Sequence, residues 1–269
     1  MRRLLGPSLS QRLQDLPFRD AGHGYDPLGM HPDWVKMMVG VTRPLYERYF
    51  RVTHHGIENV PTEGPVVLAS NHSGLIPLDA AMLWADLVRS LSPARVPRVV
   101  TDVFVPQLPF VWTLFSRVGA VSGNRATVRG LLEAGEMLVI FPEGTPGIAK
   151  PFRDRYKLAP WRVGHAELAL RHRAPVVPVA IVGAEEQWPL LTKVDAHVFG
   201  APFLPIPMTP LPLPVHYHVY YGEPLSLHTH CAPESADDPE IAEEAAAIVR
   251  EAVEALIARG LAERPGVFR

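Results

Sequence analysis

Cys231 is the sole cysteine among 269 residues. No internal disulfide can therefore staple the fold, and the usage fits a reducing compartment. An excess of one charge is also missing. The formal net charge is -2, so no nucleic-acid partner is expected. No stretch reaches the roughly 18 consecutive apolar residues of a membrane-spanning helix. Arg2 and Arg3 stand near the N-terminus, but no apolar core of secretory length follows before Phe18, so no signal peptide is expected. There is no Gly-x-Ser-x-Gly elbow for a serine hydrolase and no His-Glu-x-x-His or paired-cysteine motif for a metal. His216, His218, His228 and His230 read as scattered histidines, two on a strand and two in a polar loop. There is no internal repeat.

What is present is a chain 47% hydrophobic and 20% charged, enough for one sizeable core. Strand-like runs at Val66–Ser70, Arg98–Thr101, 137–141 and Val176–Val182 alternate with helical stretches at 78–89, around 110–117, 126–134 and 161–171. The last of these has Pro160 at its predicted first turn. Short apolar strands interleaved with helices predict an α/β fold whose largely parallel central sheet is flanked by helices. Residues 215–221 alternate and read as a late strand, while Pro178 inside an apolar run predicts a sheet edge or bulge. An amphipathic helix is expected over 34–50, bent or broken at Pro44, with Trp34, Met37, Met38, Val41, Leu45, Tyr46 and Tyr49 at helical spacing. It could pack on the core or lie in a membrane interface. A C-terminal helix is expected from Asp238 to Gly260. The resulting organisation is an N-terminal helical segment over 1–51, an α/β domain over 52–232, and a C-terminal helix over 233–269 packed on that domain.

Ligands of open α/β sheets gather beyond the carboxyl ends of the strands. Val66–Ser70 runs into Asn71-His72-Ser73-Gly74, and Asp79 follows at a helix start, where the macrodipole favours a carboxylate. If Asp79 accepts one ring N–H of His72, the other nitrogen faces outward as a base. The alternative is an exposed loop histidine beside an N-terminal helix aspartate. The run over 137–141 leads into Pro142-Glu143-Gly144-Thr145, a carboxylate followed by a glycine that allows close approach to the backbone. Gly119 to Arg125 places an arginine at a helix start, a candidate anion site.

In this order the blocks resemble the glycerolipid acyltransferases, the superfamily of 1-acylglycerol-3-phosphate acyltransferases. The matching elements are Asn71-His72…Asp79, Gly119…Arg125, Phe141-Pro142-Glu143-Gly144-Thr145 and Val177-Pro178-Val179, covering roughly 52–224. Residues 71–80 and 146–157 look most like the branch of monoacylglycerol and diacylglycerol acyltransferase-like proteins. One departure is the spacing: six residues separate His72 from Asp79 where the family usually has four.

The resemblance implies transfer of a fatty acyl group from an acyl thioester, on coenzyme A or acyl-carrier protein, to a glycerolipid or lysophospholipid hydroxyl. His72, oriented by Asp79, would be the general base, with no acyl-enzyme and no cofactor or metal. Arg125 would bind a phosphate, while Glu143 and Gly144 would position the acceptor with Thr145 nearby. Lys150 and Arg153, in the basic stretch 146–157, are either a solvated face or a platform for phosphates. The expected location is peripheral, on the cytoplasmic face of a membrane. Residues 196–222 contain no Asp, Glu, Lys or Arg but six prolines. They read as an extended apolar loop that dips into the membrane interface, lines an acyl channel, or drapes over the core. A lipid-binding or lipid-transfer protein and a lipid ester or thioester hydrolase are the readings from other classes.

Overall fold

The computed structural model describes residues 7–14, 16–74, 76–108, 110–194 and 203–269. Two helices, α1 (Pro7–Arg12) and α2 (Pro32–Pro44), precede the sheet. The α-helix ends at Pro44 and the chain continues as a π-turn over Leu45–Tyr49, in keeping with a proline that disturbs the regular winding. The buried face of α2 is carried by Val35 and Val39, which pack with Leu9 and Leu13 of the N-terminal segment against Trp84, Ala85 and Val88. Neither valine belongs to the predicted stripe. That stripe divides: Met38, Leu45, Tyr46 and Tyr49 pack inward, while Trp34, Met37 and Val41 are exposed.

The chain then alternates through β1 (Thr53–His55), β2 (Val66–Ser70), α3 (Leu78–Ser90), β3 (Arg98–Thr101), α4 (Val111–Arg117), β4 (Val121–Ser122), α5 (Arg125–Glu133) and β5 (Met137–Ile140). It continues through a short helix α6 (Thr145–Ile148), α7 (Gly164–Arg171), β6 (Val176–Val182), α8 (Ala184–Gln187), β7 (Leu190–Val194), β8 (Leu204–Pro207), β9 (His218–Tyr221) and α9 (Pro239–Glu263). The central sheet has the order β1-β9-β6-β2-β5-β3-β4, parallel throughout except where β9 meets β6. This is the α/β architecture expected from the sequence.

Side-chain alternation along β2 feeds both faces. Val67 and Ala69 pack with Val128, Leu131, Leu170 and Val249 of α5, α7 and α9, while Val66 and Leu68 pack with Met82, Leu83 and Leu87 of α3. Strands buried on both sides account for the continuous apolar runs.

Three expectations need correction. Pro178 lies in β6, a central strand paired with β2 on one side and β9 on the other. Its carbonyl accepts the Gly222 N–H at 2.9 Å, so its own nitrogen faces the margin of the β9 ladder and leaves the β2 pairing intact. The seventh helix starts at Gly164 rather than near Pro160. Gly260 does not stop α9, which runs to Glu263; a Cβ there would stand 2.7 Å from Tyr220 and 2.8 Å from Val182, so it is a close-packing point on the sheet.

Residues 203–222 are not a plain loop either. They contain β8, which pairs antiparallel with β7, and β9 of the main sheet; the part of the expected loop at 196–202 lies outside the described residues. His216 and His55 do converge on His218, their ring centroids 4.1 Å and 6.0 Å from its own. Burial lowers the His218 pKa to about 4, which keeps that ring neutral at ordinary pH. His228 sits in the turn at Leu227–Thr229 and His230 caps it. Among the described residues no group of three or more His, Cys, Asp and Glu side chains could hold a metal ion.

Candidate active site

Because β6, β2 and β5 are neighbours in one parallel register, the segments leaving their carboxyl ends emerge side by side, about 4.8 Å per strand. β2 releases Asn71 and His72. The Asn71 side chain bonds β6 in both directions, donating to Ile181 O at 3.1 Å and accepting Ile181 N–H at 2.8 Å, which fixes the start of the loop. His72 Nδ1 lies 2.7 Å from Asp79 Oδ2. That oxygen also accepts Ser73 N–H at 2.8 Å, and Oδ1 accepts Ala80 N–H at 2.8 Å. A carboxylate in this setting can only accept, so the ring proton sits on Nδ1 and Nε2 carries the free lone pair. The six-residue spacing does not prevent the pair, since Gly74 takes φ +94° in the wider turn. The imidazole stacks on Phe141, the last residue before Pro142, with centroids 4.3 Å apart.

Glu143, leaving β5, is buried and uses both oxygens. Oε1 accepts His72 N–H at 3.0 Å, and Oε2 accepts Ala159 N–H at 2.7 Å and faces Lys150 Nζ at 3.1 Å. Lys150 Nζ also meets Glu185 Oε1 at 3.0 Å and Lys157 O at 3.3 Å. Two of the ammonium's protons are thus given to Glu185 and Lys157 O, and Glu143 is paired with it as an ion. Burial pushes the Glu185 carboxyl pKa up, and Lys150 opposes that shift.

Gly144 takes φ +57°, and the Arg162 guanidinium lies over it. Thr145 Oγ1 donates to Asp102 Oδ2 at 2.8 Å, and Arg162 Nη2 reaches the same oxygen at 3.5 Å. A Cβ on Gly147 would stand 2.9 Å from Glu143 Cβ and 3.2 Å from His72 O, so only glycine lets the α6 turn close on the histidine loop.

Six of the eight residues singled out from sequence thus gather at this edge: His72, Asp79, Glu143 and Lys150 in one chain of contacts, with Gly144 and Thr145 beside them. Arg125 and Arg153 do not join them. Arg125 opens α5 beyond edge strand β4, is 79% exposed, and pairs with Glu167 at 3.0 Å. Arg153 is 86% exposed and faces Asp154 at 3.5 Å. Sequence reading missed Phe141 as a stacking partner, Asp102, Gly147 and Glu185. Glu185 follows the carboxyl end of β6, so the rule that located Glu143 reaches it too.

A narrow crevice beside the histidine loop is lined by Ser73, Gly74, Gly147, Lys150, Leu190 and Pro207. The Ser73 hydroxyl is buried without a hydrogen bond to any described residue, and the Gln187 amide and Tyr217 hydroxyl are buried against each other. An unpaired buried hydroxyl such as that of Ser73 costs about 1–3 kcal/mol, a local conflict of the kind folds tolerate at functional sites.

The family model described as Acyltransferase matches residues 51–182, the span that carries the histidine loop, Glu143 and the three central strands. An uncharacterized protein of Mycobacterium tuberculosis is 35% identical over 91% of this chain and 72% of its own length. The chain belongs to the glycerolipid acyltransferase superfamily.

Within this superfamily, the chain is 30% identical to a bovine DGAT1/2-independent enzyme synthesizing storage lipids, over 79% of this chain and 62% of that enzyme. The crystal structure of the 1-acyl-sn-glycerophosphate (LPA) acyltransferase PlsC from Thermotoga maritima shares the fold with a TM-score of 0.54 and 18% identity, covering 82% of this chain and 79% of that one. Glycerolipid acyltransferases need no cofactor, because the acyl donor is a substrate. No described helix of this acyltransferase is long and apolar enough to cross a membrane.

Proposed function

We propose that this acyltransferase moves a fatty acyl group from an acyl thioester, carried on coenzyme A or acyl-carrier protein, to a hydroxyl of a glycerolipid, at the surface of a membrane with which it associates peripherally on the cytoplasmic face. The observation that carries the mechanism is the His72–Asp79 pair, with Nδ1 occupied and Nε2 free. Nε2 takes the proton of the acceptor hydroxyl as its oxygen bonds to the thioester carbonyl carbon. The carbon–sulfur bond then breaks, and the imidazolium returns the proton to the departing thiolate. No serine or cysteine stands in for the acceptor in this scheme, so transfer is direct, without an acyl-enzyme. Glu143 serves by holding the His72 backbone rather than by touching the acceptor, and Lys150 serves by holding Glu143.

An uncharged acceptor, a mono- or diacylglycerol, is favoured over a lysophosphatidic acid. The cation beside Glu143 is already neutralised by two carboxylates, Glu143 and Glu185, and Arg125 is engaged with Glu167. The storage-lipid enzyme among the relatives supports the same choice. The test is incubation with labelled oleoyl thioester and, separately, monooleoylglycerol, dioleoylglycerol and oleoyl lysophosphatidic acid. A new labelled ester on the neutral acceptors is expected. Free oleate as the only product would make the protein a hydrolase, and no consumption of donor would make it a binding module.

A further inference from the structure

The β7–β8 hairpin is built unlike the rest of the molecule. From Leu190 to Gly222 the only residues among Asp, Glu, Lys and Arg are Lys193 and Asp195. Leu191, Val194, Ile206, Met208 and Leu211 are exposed, with Leu191 at 63% and Leu211 at 70%. Exposed apolar side chains scattered singly mean little, but five on one short hairpin and its following turn mark a contact surface. The base of the hairpin is tethered. Met208 N–H donates to Pro189 O at 2.8 Å, Trp188 Nε1 donates to Thr209 O at 2.7 Å, and the Tyr49 hydroxyl donates to Pro212 O at 2.5 Å.

Two features indicate what covers this surface. Pro205 and Pro207 stand in β8 without N–H donors, so β8 offers few donors for strand addition by a second copy. Leu190 and Pro207, opposite one another in the ladder, also line the crevice that Ser73, Gly74 and Gly147 close at the histidine loop. The hairpin therefore borders the site of chemistry.

We infer that the β7–β8 hairpin is the element that docks this protein on a lipid surface, seating Leu191, Met208 and Leu211 among the acyl chains, beside the crevice that opens at the histidine loop. This rests on the proposed lipid-acyl transfer. Docking through uncharged side chains is a burial of apolar area rather than an attraction of charge, so it survives salt.

The experiment measures co-sedimentation of the full chain with phosphatidylcholine vesicles, at low and high salt, for wild type and for the double variant Leu191→Glu, Leu211→Glu. Neither residue lines the crevice. Wild-type binding is expected to persist at high salt, and the double variant is expected to partition at least about tenfold more weakly. Its turnover of dispersed octanoyl-coenzyme A and 1-octanoylglycerol is expected to match wild type. Undiminished vesicle binding by the variant, loss of wild-type binding at high salt, or conversion of a wild-type dimer to monomer by the substitutions would each overturn the inference. A wild type that binds vesicles but fails to acylate octanoylglycerol would instead count against the transferase reading.

Discussion

Replacing His72 with alanine is expected to lower acyl transfer by about 10²–10⁴-fold, the usual worth of a positioned general base, while leaving a folded protein. The ring is not a core element: it stacks on Phe141 at the strand ends, its side chain 15% exposed. Asp79 loses one partner but keeps the N–H groups of Ser73 and Ala80, so the stability cost stays near that of one buried hydrogen bond, about 1–3 kcal/mol. Thermal melting beside kcat/KM for transfer checks both halves. Wild-type turnover in a variant that melts normally would remove the imidazole from the mechanism.

Lys150→Met is expected to be the most destabilising single change at the site. It leaves Glu143 and Glu185, whose side chains are 0% and 5% exposed, without the ammonium that lies between them. Removing one partner of a buried ion pair costs about 3–5 kcal/mol. Activity should fall with it, because Glu143 Oε1 is what holds the His72 N–H. The double variant Lys150→Met, Glu185→Gln should recover part of the lost stability, since one stranded charge is gone. Chemical denaturation of the three proteins reads this directly. If Lys150 instead gripped a phosphate of the donor, the single variant would melt like wild type and raise only the donor KM.

How much of this was legible beforehand depended on whether the information lay within one segment. His72 and Asp79 belong to a single strand–turn–helix unit, so their pairing could be raised from the order of apolar run, glycine turn and helix start, while the six-residue spacing left an exposed loop histidine as the alternative. The block from Phe141 to Thr145 announced itself as a strand end with a carboxylate, and the alternation of apolar runs and helices carried the α/β class. What could not be read was anything set by register between strands. The approach of Glu143 to the His72 backbone arises because β2 pairs with β5, and Lys150 acquires its second carboxylate because β6 lies on the other side. Pro178 misled because a proline looks the same in sequence whichever neighbour its nitrogen faces. Gly260 misled for a related reason, as a glycine that stops a helix and a glycine that lets it press on Tyr220 differ only in what lies opposite. The apolar segment before β9 suggested a loop because its prolines exclude a helix, yet they permit a two-stranded ribbon.

The central claim is that one imidazole activates the acceptor for direct transfer. Its most direct test is to expose the purified chain to a stoichiometric labelled acyl thioester with no acceptor, quench in acid, and weigh the intact protein by mass spectrometry, then repeat with acceptor added. The account predicts protein of unmodified mass in both cases and labelled ester only in the second. A stoichiometric acyl group on the chain that disappears when acceptor is added would contradict it.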